Sequence, residues 1–292
     1  MYLDKKGSVF HFIFLTSLFI ALGFAFLPSR TSDFTAGHGK ATGDIGGDVL
    51  GTGIPRNSDS DPSSVLVSRN KFLSLQALTP HNPININGNS GFDTSPGNWT
   101  GSGTWGDPYT FMDYYINASV GLGILIANTD AYFIIRNVLI NGSTNCCTGA
   151  FHFNNVSNGE LINNTAVNNN GYGFFLTTDS KNNTLRDNLA LSNAQKGYYL
   201  SFSSNNNTLR NNIATNGSIG FHFYVNSNNN TLSDNSAIEN VNYGFYLDQS
   251  SNNNYLHNNS AAFNSMGFYL TSGSSNNVLI NNYASNSSNY GY

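Results

Sequence analysis

From residue 149 onward, apolar runs of three or four β-favouring residues alternate with short clusters of Asn and Ser, and no stretch keeps the 3.6-residue period of an amphipathic helix. Seven glycines, Gly149, Gly173, Gly197, Gly220, Gly244, Gly267 and Gly291, follow one another at intervals of 24, 24, 23, 24, 23 and 24 residues. A period of this size marks a solenoid: one unit is too small to bury its own apolar face and must share a core with the copies stacked on either side.

Strand geometry assigns the faces. After each glycine, the first and third residues point one way and the second points the other. Phe174 and Leu176, Tyr198 and Leu200, Phe221 and Phe223, Phe245 and Leu247, and Phe268 and Leu270 are therefore expected inside. Further inward columns run through Leu185, Leu209, Leu232, Leu256 and Leu279, and through Ala166, Ala190, Ala214, Ala237, Ala261 and Ala284. Three strands per turn predict a triangular coil. Asn164, Asn188, Asn212, Asn235, Asn259 and Asn282 recur in phase with the glycines. Asn tolerates the left-handed backbone of a sharp corner, and its amide both donates and accepts, so copies stacked about 4.8 Å apart can bond as a ladder. Length varies only after the alanine, which predicts a looser corner there.

The Gly-aromatic-x-Leu strand, the Ser-Asn-Asn-x-Thr-Leu corner and the Asn-x-Ala pair resemble the repeats of NosD-type proteins and related carbohydrate-binding and sugar-hydrolase-type domains. Upstream, HNPININGNSGF (81–92), GTWGDPY (103–109) and GILIANTDAYFIIRNVLING (123–142) look like that family's opening segment and first coil. The resemblance implies an all-β, single-stranded, right-handed parallel β-helix of about seven coils of 23–24 residues over 121–292, behind an N-terminal cap and lead-in segment at 65–120. It also implies periplasmic copper handling, with copper as the one cofactor in view. β-Helices also host polysaccharide lyases, hydrolases and epimerases, so the fold alone does not decide the function.

Residues 1–30 differ from the rest. Lys5 and Lys6 precede an apolar run from Val9 to Leu27, which reads as a signal anchor or a signal peptide with the N-terminus cytoplasmic. Membrane contact is expected through residues 9–27, and export of everything that follows. Residues 31–64, rich in Gly, Ser, Asp and Thr, read as a flexible spacer. Asp59-Ser60-Asp61 lacks the glycine and distal glutamate of a calcium loop. The last coil stops at Gly291-Tyr292, so a truncated solenoid is expected. Charged residues are 10% of the chain and the net charge is −4, which argues against a nucleic-acid partner. Eleven Asn-x-Ser/Thr acceptors, among them Asn163, Asn182, Asn206, Asn229 and Asn258, make a glycoprotein a further expectation.

Candidate chemistry is sparse. Copper(I) favours thiolate, thioether and imidazole, and the chain offers Cys146, Cys147, Met112, Met266, His38, His81, His152, His222 and His257. His152 and His222 occupy equivalent positions three coils apart, about 14 Å, so no metal site is assigned. Asp187 and Asp234 share a corner position two coils apart, about 9.6 Å. Asn also serves at that corner, and no catalytic residue is assigned. Arg186 and Arg210 stack outward on adjacent coils. The most distinctive outward feature is a stripe, Phe175, Tyr199, His222, Tyr246 and Tyr269. Aromatic rings stack on sugars and on proteins, so the stripe is the expected ligand-binding strip, for a carbohydrate or a surface protein. Its competing reading is that rings stacked from coil to coil simply rigidify the sheet.

Overall fold

The computed structural model describes residues 78–94 and 99–292, so the expected membrane segment at 9–27 and the spacer at 31–64 lie outside the described residues. The described residues form a right-handed parallel β-solenoid with three sheets. Sheet B stacks eight strands from Ile84–Asn87 to Met266–Leu270, and sheet C eight strands from Tyr109–Met112 to Val278–Ile280. Sheet A has nine, from Thr79–His81 to Tyr283–Ser285. Every strand pairs in parallel with its counterpart one coil away, as Thr184–Arg186 does with Thr208–Arg210. Residues 121–292 supply seven coils. The segment before them supplies one more, and its excursion between sheets B and C carries a four-residue helix, Gly91–Thr94. There Phe92 is buried and stacks on Tyr109 at 4.4 Å, while the Trp99 indole donates to the Phe92 carbonyl.

The inward columns are where the period places them. Phe151, Phe174, Tyr198, Phe221, Phe245 and Phe268 stack face to face at 4.6–4.8 Å, forming a ring column down the interior. Leu185, Leu209, Leu232 and Leu256 are fully buried opposite it. Against the ring column lies the alanine column, and its closeness explains the glycines. A Cβ on Gly220 would lie 2.6 Å from the Gly244 carbonyl oxygen and 2.8 Å from the Ala237 Cβ. These glycines serve close approach rather than a left-handed backbone. Gly149 is one residue out of register: it pairs with Tyr172, so Ala150 fills the glycine column at that coil.

Corners carry asparagine ladders, three of them rather than the one the sequence suggests. The expected ladder runs from Asn164 to Asn282, each Oδ1 accepting from both the backbone N and the Nδ2 of the preceding coil's Asn. A second ladder joins Asn183, Asn207, Asn230, Asn254 and Asn277. A third, three residues after each alanine, links Asn169 to Asn193 and Asn240 to Asn264, with Gly217 between. The corner expected to be loose is therefore bonded as well, and the one-residue variation is confined to the run after it. The left-handed backbone belongs to the residue before each ladder Asn, as at Asn163, Asp187, Asn211, Asp234, Asn258 and Asn281. Turning the chain one residue early aims the following side chain into the coil. Because a Thr or Ser often opens the next strand, the same corner writes sequons such as Asn182-Asn183-Thr184 with no glycan needed to explain them.

Candidate functional site

Sheet B carries rings on both faces. Outside, His152, Phe175, Tyr199, His222, Tyr246 and Tyr269 occupy one register position on six successive coils. Their centroids are 4.6, 5.0, 5.2, 4.5 and 5.5 Å apart, so the rings stack on one another along the solenoid axis. All five stripe residues expected from the sequence share this face, but not as an exposed strip. Phe175, Tyr199 and His222 are only 8, 7 and 5% exposed. Their ring faces cover each other, and residues on both sides cover their flanks.

Those flanking residues escape a reading that follows only the stripe. Before each glycine stand Tyr172, Lys196, Ile219, Tyr243 and Met266, also paired coil to coil. Tyr172 meets Phe175 edge-on at 4.9 Å, and Tyr243 stacks on Tyr246 at 4.5 Å. The Lys196 ammonium lies 3.5 Å from the Tyr199 ring centre and 4.9 Å from that of Tyr172. On the other side, Tyr224 lies 5.5 Å from the His222 ring, and the Tyr246 hydroxyl donates to Asp248 at 2.7 Å. The signal in the sequence is the residue preceding each glycine, whose mixed composition hides a single outward column.

Burial dominates the electrostatics here. It lowers His152 to about 4 and His222 to about 3, the latter helped by the Lys196 charge. Both ring nitrogens of each histidine are buried without a partner, so both rings are neutral near pH 7. Burial likewise brings Lys196 down to about 8, and raises Tyr199 and Tyr246. Burial pushes Asp248 up, yet hydrogen bonds from Tyr246, Ser272 and the Gln249 backbone outweigh it and hold the carboxyl below its ordinary value.

The other expected charges are neutralised locally. Arg186 donates to Glu160 at 2.8 Å and lies 3.4 Å from Asp187, while Arg210 lies 3.9 Å from Asp234. Arg186, Asp187, Arg210, Asn211 and Asp234 line a groove of about 340 Å³ at a corner of sheet C. Asp187 and Asp234 adopt the left-handed corner conformation, with φ of 60° and 57°, as turn residues do. No acid–base pair emerges at that corner.

Residues 106–292 match the family model described as periplasmic copper-binding protein (NosD). The chain belongs to the NosD family. Membership makes it an exported, periplasmic β-helix protein. No curated protein matches the chain. Among solved structures, the A-module of mannuronan C-5 epimerase AlgE4 from Azotobacter vinelandii is similar at 12% identity and a TM-score of 0.28. That likeness covers 66% of this chain and 85% of the module, and at this score it carries no argument about activity.

A copper centre would need soft or imidazole donors converging on one point. Among the described residues no three His, Cys, Asp or Glu side chains do so. The ring ladder holds His152 and His222 three coils apart, with Phe175 and Tyr199 stacked between them. Cys146 and Cys147 are exposed on a turn, their Sγ atoms 2.8 Å apart, and the Met112 thioether lies against the Arg136 guanidinium. Beyond that adjacent thiol pair, the soft and imidazole donors of the described residues do not converge on one point, although the family's description names the metal.

Proposed function

We propose that this NosD-family chain is a periplasmic binding protein that holds an extended carbohydrate along the outer face of sheet B, tethered through residues 9–27. One observation carries the reading: a ring ladder spans five coil steps, about 24 Å, with part-exposed tyrosines along both sides. The stacked ring faces are consumed within the ladder. What remains outward is ring edges and the hydroxyls of Tyr172, Tyr224, Tyr243 and Tyr269, apolar bodies with polar tips suited to a polyhydroxylated ligand. A linear array repeating at the coil spacing also suits a linear polymer of repeating units better than the irregular patch of a folded partner.

The test is equilibrium binding of a panel of purified oligosaccharides to the full chain and to variants Tyr243→Ala and Tyr269→Ala. At least one oligosaccharide is expected to bind, and each substitution to weaken it about tenfold, as losing a good contact of about 1.4 kcal/mol does. Undiminished binding by both variants, or capture of a protein partner with no oligosaccharide bound, would overturn the reading.

A further inference from the structure

Among the described residues projecting from sheet B beside the ladder, Lys196 is the one cation. It sits on the Tyr199 and Tyr172 rings, partly buried, with no carboxylate of the described residues within salt-bridge distance. A lysine placed this way is costly, because burial strips water from the ammonium and the rings return only part of the loss. Proteins ordinarily meet that cost with a paired acid. Asp248, the acid on this face, stands two coils further along and is already engaged by the Tyr246 hydroxyl at 2.7 Å and the Gln249 amide at 2.6 Å. His222, on the coil after Lys196, is neutral and adds no competing charge. The face thus presents one under-solvated positive charge, still protonated at pH 7, amid tyrosines.

We infer that Lys196 is the seat of a carboxylate borne by an acidic glycan, with Tyr172 and Tyr199 forming its floor. The inference rests on the proposed carbohydrate reading and narrows it to uronate-containing chains. An anion there would complete the missing ion pair in a setting where water screens poorly, so selectivity over a neutral chain of the same linkage should be large. Lys196→Met keeps the stem over the Tyr199 ring and removes only the charge, whereas Lys196→Arg keeps the charge.

The experiment is calorimetric titration of the full chain and both variants with a galacturonate oligomer, the matching neutral galactose oligomer, and inorganic phosphate. Wild-type protein is expected to bind the uronate oligomer at least tenfold more tightly than the neutral one. Lys196→Met should abolish that preference, and Lys196→Arg should largely retain it. Equal binding of the two oligomers, or an unaltered preference in Lys196→Met, would overturn the carboxylate seat while leaving the carbohydrate reading standing. Phosphate binding that depends on Lys196, with no gain from a sugar chain, would reassign the seat to a free anion. Binding of none of the three ligands would overturn the seat, while the carbohydrate reading is decided separately by the oligosaccharide panel.

Discussion

Replacing Asn212 by Ala is expected to destabilise the solenoid by about 4 kcal/mol, a large share of the 5–15 kcal/mol that holds a typical domain together. The Asn212 Oδ1 accepts from the Asn188 backbone N and Nδ2, both at 3.0 Å. Its Nδ2 donates to the Leu185 carbonyl at 2.8 Å and to the Asn235 Oδ1 at 3.0 Å. All four partners are buried, so truncation strips hydrogen bonds from the coils on both sides and leaves the Asn188 backbone N without an acceptor, with no route for water to replace the amide. Asn282, the last rung, is an internal control. It accepts from Asn259 and donates to the Leu256 carbonyl, but it is only partly buried, so Asn282→Ala should cost about 1 kcal/mol. Urea unfolding followed by far-UV circular dichroism separates the two. Equal losses for both variants would contradict the ladder's role in stability. Because each repeat leans only on its neighbours, a broken middle rung should also split unfolding into two steps.

Acid should destabilise the protein well above the range where carboxylates titrate. His152 and His222 have folded-state values of about 4 and about 3, against about 6.5 when unfolded. Between those limits the unfolded chain binds more protons than the native one, so stability falls as pH falls, starting near pH 6.5. At pH 5 each histidine costs about 2 kcal/mol, roughly 4 kcal/mol together relative to pH 7. Around His222 stand Lys196, which disfavours its protonation, Asp248, which favours it weakly, and the rings of Tyr199, Tyr224 and Tyr246. The double variant His152→Phe/His222→Phe keeps rings in both ladder positions, where Phe175 already shows that Phe fits. It should hold its pH 7 stability down to pH 5. Denaturant midpoints at the two pH values decide the matter, and a double variant as acid-sensitive as the wild type would contradict the burial of neutral imidazoles.

How far the sequence discloses this molecule depends on which residues repeat without exception. Leu185 and its successors, and the alanine column, vary so little that the interior is legible from the chain alone. The stripe from Phe175 to Tyr269 is legible as a set of outward residues. Its burial is not, because period-2 geometry gives a direction and says nothing of neighbours 5 Å away on the same side. Two of the three ladders are hidden for the opposite reason: Asn is so frequent at every corner that the bonded Asn and the left-handed one before it look alike. Gly149 shows the limit of counting, since its interval of 24 is in phase while its register is off by one. Lys196 is the least legible of all. It occupies a column holding Tyr, Lys, Ile and Met, and only the backbone places that column beside the ladder.

A bound glycan can be located directly by hydroxyl-radical footprinting of the full chain with and without the galacturonate oligomer. Oxidation of Tyr172, Tyr224 and Tyr243 on sheet B is expected to fall several-fold, while Tyr255 on sheet C and Tyr283 on sheet A, both exposed, stay unchanged. Protection of Tyr255 or Tyr283 with none on sheet B would contradict a ligand held by the ring-lined face.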